Sequence, residues 1–228
     1  MKHLSLKVIS QQTVAEGFFE IVMQWPQELP APLPGQFFTV RVTEGPSPLL
    51  RRPFAFSGYQ KDSQQSPTVS CIYQRRGPAT RLLTAAQAGD SLDILAPLGS
   101  AFPVDQCLDG RIKNRPVLLA GGVGIGPMLY TAECLRGAGP LLVIGARSKQ
   151  LLPLTAIPEG IETVLCTDDG SLGIKGTVLQ ALEQRNTAPG IIMACGPNAM
   201  LAAAKDWASQ RSLPCYVSME QTMGCAVG

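Results

Sequence analysis

Pro116-Val117-Leu118-Leu119-Ala120-Gly121-Gly122-Val123-Gly124-Ile125-Gly126-Pro127-Met128 is the stretch on which the rest of the chain turns. Val117 to Ala120 form a short unbroken apolar run, the pattern of a strand buried on both faces. Gly121, Gly122, Gly124 and Gly126 follow, and they let the backbone turn tightly and approach a ligand closely. Pro127 suits the first turn of a helix, where a missing N–H costs little. A helix start behind glycines is a ready site for a phosphate anion. The first expectation is therefore a dinucleotide held at the mouth of a parallel sheet.

Downstream of this stretch, strand-like and helical runs alternate. Strands are expected at 117–120, 141–145, 162–167, 191–195 and 215–219. Helices are expected at 127–136, near 149–152, and at 175–184 and 198–209. Such alternation predicts a parallel sheet with helices on both faces. Ligands of such sheets sit at the carboxyl ends of the strands. The distinctive residues fall at those ends: Gly121 to Gly126, Gly145-Ala146-Arg147-Ser148, Thr167-Asp168-Asp169-Gly170 and Cys195-Gly196-Pro197. The glycine pattern is not the usual G-x-G-x-x-G, because Pro127 stands at the third position. No carboxylate for a ribose follows the second strand, which ends in Gly145-Ala146-Arg147. Two readings of Arg147 stay open: a solvated strand-end charge, or a partner for a 2′-phosphate.

Upstream, residues 4–95 read differently. Leu4, Leu6 and Val8 alternate with polar residues, as do Phe19, Ile21 and Met23, and Phe38, Val40 and Val42. Turn signals between these short runs predict an antiparallel barrel or sandwich, with one helix at 80–88. Leu50-Arg51-Arg52-Pro53-Phe54-Ala55-Phe56-Ser57 places two arginines at the entry to an apolar strand. They are either solvated charges or include a guanidinium aimed at a phosphate beside a flat ring. Gly77-Pro78-Ala79-Thr80 follows a strand and opens a helix, which makes either an ordinary capped helix or a second anion site.

Composition bounds the function. The chain has 228 residues, enough for two domains, and 45% hydrophobic residues supply a core. A net charge of +2 without a long Lys/Arg run argues against nucleic acid. No apolar run reaches the roughly 20 residues of a membrane span, and no signal peptide opens the chain. A cytoplasmic protein with no membrane contact is expected. The seven cysteines, at 71, 107, 134, 166, 195, 215 and 225, form no C-x-x-C pair and read mostly as small buried hydrophobes. His3 is the only histidine, so a histidine-based triad is not available.

Taken in order, the arginine-proline-aromatic strand, the glycine-threonine turn, Gly-Gly-x-Gly-x-x-Pro and Cys-Gly-Pro resemble the ferredoxin–NADP reductase superfamily across nearly the whole chain. Leu50-Arg51-Arg52-Pro53-Phe54, Thr167-Asp168-Asp169-Gly170-Ser171-x-Gly, Lys175-Gly176-x-Val178 and Ser218-Met219-Glu220 before Met223-x-Cys225 are similar to the family of electron-transfer subunits of dihydroorotate dehydrogenase. The resemblance implies a two-domain β + α/β protein. Residues 1–112 would form an FAD-binding antiparallel β-barrel and 113–228 a parallel-sheet NAD(P)-binding domain. It also implies electron transfer between NAD(H) and a separate FMN-containing catalytic dehydrogenase subunit, and hence a hetero-oligomer.

By the same resemblance, Arg52 neutralises the flavin pyrophosphate, and Pro53, Phe54 and Ala55 line the isoalloxazine. Gly77, Pro78 and Thr80 bind FAD phosphates through amides and a hydroxyl. Gly122, Gly124, Gly126 and Pro127 form the nicotinamide-nucleotide loop, with Arg147, Gly196 and Pro197 beside it. Cys195 stands near the nicotinamide as the candidate catalytic residue. Ala55 departs from the family's Ser or Thr, whose hydroxyl meets flavin N5; a backbone N–H or Ser57 would have to substitute. Cys225 matches the first ligand of a [2Fe–2S] cluster, in a segment at 219–228 that is cut short. A [2Fe–2S] cluster is not formable from residues 1–228 alone, because one cysteine of four cannot hold it, so either this is a shortened version of the family plan or the cluster forms in a longer full-length chain. Two other functions suit the residues: a stand-alone NAD(P)H–flavin or ferredoxin reductase, and a non-catalytic nucleotide-binding docking or regulatory subunit.

Overall fold

The structure is a computed structural model and describes residues 1–43, 45, 47–61 and 66–219. Two compact units divide the chain, with the first ending at Ala101 and the second starting at Phe102. The division falls ahead of the expected 112/113. Phe102, Val104 and Cys107 are buried, and the short helix they bracket packs on the 3-10 turn Arg136–Ala138 of the second unit.

The first unit contains β1 (Lys2–Ala15), β2 (Phe18–Gln24), β3 (Phe37–Arg41), β4 (Arg52–Ala55), β5 (Gly58–Gln60), β6 (Thr68–Gln74), α1 (Pro78–Leu83) and β7 (Ser91–Leu98). Its seven strands run in the order β4-β3-β7-β1-β2-β6-β5, each pair antiparallel. The long β1 serves two neighbours, β7 along Lys2 to Lys7 and β2 along Val8 to Ala15. β4 and β5 are opposite ends of this order, yet only Phe56 and Ser57 separate them in the chain. The sheet must therefore curl until its ends meet. Ser57 makes the closure: its N–H donates to Ser70 O at 2.8 Å, and its hydroxyl accepts from Ile72 N at 2.8 Å. Trp25, Phe38, Phe56 and Tyr73 fill the interior, with Phe38 and Phe56 rings 5.0 Å apart and Trp25 edge-on to Phe56 at 5.7 Å. Burying such rings drives the closure, each contributing on the order of 1.5–3 kcal/mol.

The second unit contains α2 (Val104–Leu108), β8 (Arg115–Gly121), α3 (Ile125–Cys134), β9 (Leu141–Ala146), β10 (Glu162–Thr167), β11 (Ile174–Lys175), α4 (Val178–Glu183), β12 (Pro189–Cys195), α5 (Asn198–Ser209) and β13 (Cys215–Ser218). The sheet order is β11-β10-β9-β8-β12-β13, all parallel. α3 packs on β8, β9 and β12, while Val178, Ala181 and Leu182 of α4 and Leu201, Ala204 and Ala208 of α5 share a core with Val117, Leu119, Leu141 and Val143. Burial on both faces explains why these strands are unbroken apolar runs.

The fold class is that expected from the sequence, an antiparallel sheet unit followed by a parallel-sheet α/β unit. The α1 helix is shorter than the expected 80–88 and begins at Pro78. The helix expected from residue 175 begins at Val178, because Lys175 pairs with Thr167 in β11 and Thr177 caps the helix, its hydroxyl accepting from Gln180 N. Among the described residues no helix is long and apolar enough to cross a membrane.

Candidate nucleotide sites

β8, β9 and β10 progress toward one edge of the parallel sheet, and β12 and β13 lie on the other side of β8. The order reverses between β8 and β12, and a crevice at the carboxyl ends of such strands is where ligands of open α/β sheets bind. Gly121 ends β8 and Cys195 ends β12, so the glycine turn and Cys195-Gly196 meet there.

The glycines divide by role. Gly124 has ordinary backbone angles (φ −67°, ψ −9°), but a Cβ on it would stand 2.2 Å from Cys195 O and 2.6 Å from Gly196 N. Its bare Cα is what lets the turn touch the neighbouring strand end. Gly122 is the reverse case. Its φ is +55°, and a Cβ there would meet nothing within 4 Å, so its surface faces open space. Gly126 and Pro127 are buried inside the first turn of α3, behind the open part of the loop. Among the described residues no side chain caps α3, and no acid occupies its first turn to offset its positive end. Cys195 and Gly196 are half-buried and Pro197 is exposed.

Arg147 follows β9 and is exposed. The loop after β10 folds beside it. Asp169 accepts from Ser171 N at 2.9 Å and Ser171 Oγ at 2.6 Å, and Ser171 Oγ in turn accepts from Lys149 N at 2.8 Å. The buried Thr167 hydroxyl donates to Leu172 O at 2.9 Å. Asp169 and Ser171 thus build the loop. At the other end of the strands, a groove of about 620 Å3 is lined by Cys107, Lys113, Asn114 and Arg115, among others. Arg115 is held there by Gly139 O, Pro140 O and Glu162.

In the first unit the two adjacent arginines part company. Arg51 donates to the Asp93 carboxylate at 2.6 Å and to Asp93 O at 3.0 Å, which ties it to β7. Burial alone would raise the Asp93 carboxyl, but hydrogen bonds from Arg51 and His3 outweigh it and hold the group below its ordinary value. Arg52 is half-buried, and among the described residues no carboxylate pairs with it; its Nη1 donates to Leu50 O at 2.9 Å and Arg51 O at 3.4 Å. Pro53, Phe54 and Ala55 continue along β4, all half-buried. The Phe54 ring lies 5.7 Å from Tyr73, which brings β4 beside the strand leading into Gly77.

The Gly77 turn differs in one respect from expectation. The Thr80 hydroxyl accepts from Arg76 N at 2.9 Å and Gly77 N at 3.0 Å and donates to Gly77 O at 3.1 Å. It caps its own turn. The donors left over are the Ala79 and Thr80 amides, which have no acceptor four residues back inside the helix. A Cβ on Gly77 would meet nothing within 4 Å, so the turn is open to a ligand. Ser57, the substitute considered for a hydroxyl at Ala55, is buried and accepts from Ile72 N, which also ties it into the barrel closure. Its closing role was not readable from sequence, because Ile72 lies on another strand. Cys225 lies outside the described residues. Among the described residues no group of three or more His, Cys, Asp or Glu side chains is placed to hold a metal ion.

An antiparallel barrel with an open glycine turn, followed in one chain by a parallel sheet whose strand order reverses at a glycine-lined crevice, is the fold of the ferredoxin reductase-like oxidoreductases. The solved structure of the NADH-dependent reduced ferredoxin-NADP oxidoreductase is 26% identical with a TM-score of 0.79, covering 98% of this chain and 79% of that one. Phthalate dioxygenase reductase shares the fold, with a TM-score of 0.70 at 21% identity over 98% of this chain and 70% of that one. No family model matches the chain. Among curated proteins, the dihydroorotate dehydrogenase B (NAD(+)) electron transfer subunit of Geobacillus thermodenitrificans is 37% identical over 226 residues, 98% of this chain and 85% of that protein. The corresponding subunit of Bacillus caldolyticus is 34% identical over the same shares. The chain belongs to the family of dihydroorotate dehydrogenase B electron transfer subunits, and it is an oxidoreductase component.

Proposed function

We propose that this chain carries FAD on its first unit, binds a nicotinamide dinucleotide on its second, and passes electrons between that nucleotide and a partner subunit that oxidises dihydroorotate. The observation that carries the reading is the meeting of the Gly122–Gly124 turn with Cys195-Gly196 where the strand order reverses. An electron-transfer subunit needs a nucleotide port, and this crevice has the open glycine and the uncapped helix that a pyrophosphate requires.

A bound FAD supplies reversible hydride and single-electron acceptance, which links nicotinamide chemistry to one-electron carriers. The chain's own residues bind and orient. Arg52, which no carboxylate among the described residues engages, offers its guanidinium to a pyrophosphate, and the Ala79 and Thr80 amides offer neutral donors to the same group. Phe54 supplies a flat apolar wall for a ring. Gly122 lets the backbone approach the nicotinamide nucleotide's phosphates, and Cys195, at the end of β12, stands as the residue beside the nicotinamide. No general acid or base is required of the protein, consistent with a single histidine at position 3. The partner is the FMN-containing subunit that the family resemblance implies. Cys225 is the one residue to which the resemblance gives a place in a [2Fe–2S] cluster. One thiolate does not hold a cluster, and no step is derived through it.

The test is spectroscopic. Purified protein should carry a yellow flavin chromophore that bleaches anaerobically with reduced nicotinamide dinucleotide. A colourless protein that takes up no added FAD would overturn the reading in favour of a docking role.

A further inference from the structure

Gln11 is a polar residue on an apolar face. Leu6 and Val8 of β1 are buried, and strict alternation would put Ser10 beside them. A shift of register between Val8 and Ser10 puts Gln11 there instead, opposite Ile21 of β2. Ile21 in turn pairs with Cys71 of β6, and both are buried. Residues opposite one another in paired strands share a face, so the Gln11 amide lies among apolar neighbours and is itself half-buried.

An amide in such a place costs free energy unless its donors and its acceptor are met. They are met by residues 62 to 75 positions away. Gln11 Nε2 donates to Leu83 O at 3.3 Å, Thr84 O at 3.2 Å and Ala86 O at 3.0 Å. Gln11 Oε1 accepts from the Tyr73 hydroxyl at 2.7 Å. The β1–β2 ladder here is made by main-chain groups and does not need this side chain.

The two ends of the amide hold different things. Leu83 and Thr84 close α1, and the carbonyls of a last helical turn lack amides four residues on, so Gln11 caps the helix. With α1 spanning only Pro78–Leu83, fixing its last turn fixes the Gly77 turn that opens it. On the other side, the Tyr73 ring stacks on Phe19 at 5.8 Å and stands edge-on to Phe54 at 5.7 Å. Gln11 therefore joins the Phe54 wall to the Gly77 turn through a single side chain.

We infer that Gln11 is a positioning residue for the flavin dinucleotide, setting the separation between the ring wall at Phe54 and the turn at Gly77 by way of Tyr73 and α1. The inference rests on the flavin reading proposed above and adds a residue to it. A dinucleotide held at its ring and at its pyrophosphate gains from the second contact only if both anchors stand at the right separation. Holding the anchors before the ligand arrives reduces what binding must order.

Titration of the purified full chain, freed of flavin, with FAD tests it. Flavin fluorescence reads the Kd at a temperature well below melting. Gln11→Met keeps the length of the side chain without its hydrogen bonds. Asp93→Asn is the control, because it loosens the same unit through contacts to Arg51 and His3 that lead neither to Tyr73 nor to α1. Q11M should raise the Kd for FAD about tenfold. D93N should leave it within about twofold, whatever it does to melting. Tyr73→Phe deletes one hydroxyl and keeps the ring; it should raise the Kd about threefold, and the Q11M/Y73F double variant should lose no more than Q11M alone. A wild-type Kd in Q11M, or equal losses in Q11M and D93N, would overturn the inference and leave the flavin site standing. If Q11M does not fold, Y73F decides, and an unchanged Kd there overturns the inference. A wild-type chain that takes up no FAD would remove the inference together with the reading on which it rests.

Discussion

Gly124 and Cys195 are in backbone contact: the space a side chain would need at Gly124 is filled by the Cys195 carbonyl, 2.2 Å from the position of a Cβ. Two adjacent strand ends are thereby locked together at the reversal of strand order. Gly124→Ala keeps a permitted backbone conformation and pays only in overlap. Gly122→Ala meets no atom, but it holds a left-handed φ of +55°. We predict that G124A lowers stability by about 1–3 kcal/mol, through overlap that backbone must absorb. G122A should cost about 1–2 kcal/mol, from conformation alone. Urea unfolding measures both. G124A should also lose nucleotide affinity, because the crevice widens; unchanged affinity would show that the contact is not part of the port.

The neighbouring arginines of β4 should separate cleanly. Arg51→Ala breaks the contacts to Asp93 and should lower the melting temperature. Among the described residues Arg52→Ala removes donors to nearby carbonyls alone, so it should leave the melting of the FAD-free protein nearly unchanged and weaken FAD retention. Flavin absorbance after gel filtration reads the second effect, and a thermal melt of the FAD-stripped protein reads the first. Equal FAD content in R52A and the wild type would remove Arg52 from the site.

Asp93 makes stability depend on pH with a definite sign. A carboxyl held below its ordinary value adds stability above the usual carboxylate range near 4 and loses it as pH falls through the lower folded value. Asp93→Asn should therefore cost about 1 kcal/mol at pH 7, since the group is partly exposed. The gap between variant and wild type should narrow below about pH 4. A gap of the same size at pH 3 and pH 7 would show that the charge is not the cause.

Thiol chemistry should discriminate among the cysteines. Burial pushes the Cys166 thiol up to about 11, with the nearby Asp168 charge adding to it, and raises Cys71 further still. A raised thiol stays protonated below that value and is a poor nucleophile. At pH 8 a thiol-alkylating reagent should leave both unmodified in the native protein, as peptide mass spectrometry would read. Rapid labelling of Cys166 would mean that the second-unit core opens.

The local signals in this chain were strong where chemistry and periodicity act over a few residues. The apolar run before Gly121, the alternation around Phe19 and Phe38, and the span of α5 at Asn198–Ser209 could all be read directly. Backbone preferences and side-chain periods are local properties, so they survive in a linear text. The family pattern added Arg52, Gly77 and Cys195 as candidates for the same reason: each sits in a short motif.

Tertiary structure decided which of several similar residues does what. Only the fold brings Asp93, 42 residues away in sequence, to Arg51 and leaves Arg52 without a carboxylate among the described residues. Only strand order sets Cys195 against Gly124, so that one glycine of the turn is squeezed and Gly122 stays open. Ser57 became a barrel closure and Thr80 a cap once their acceptors and donors were in place. A sequence can supply groups at the right spacing along the chain, but whether a charge or a glycine is left available depends on partners that folding brings from far away.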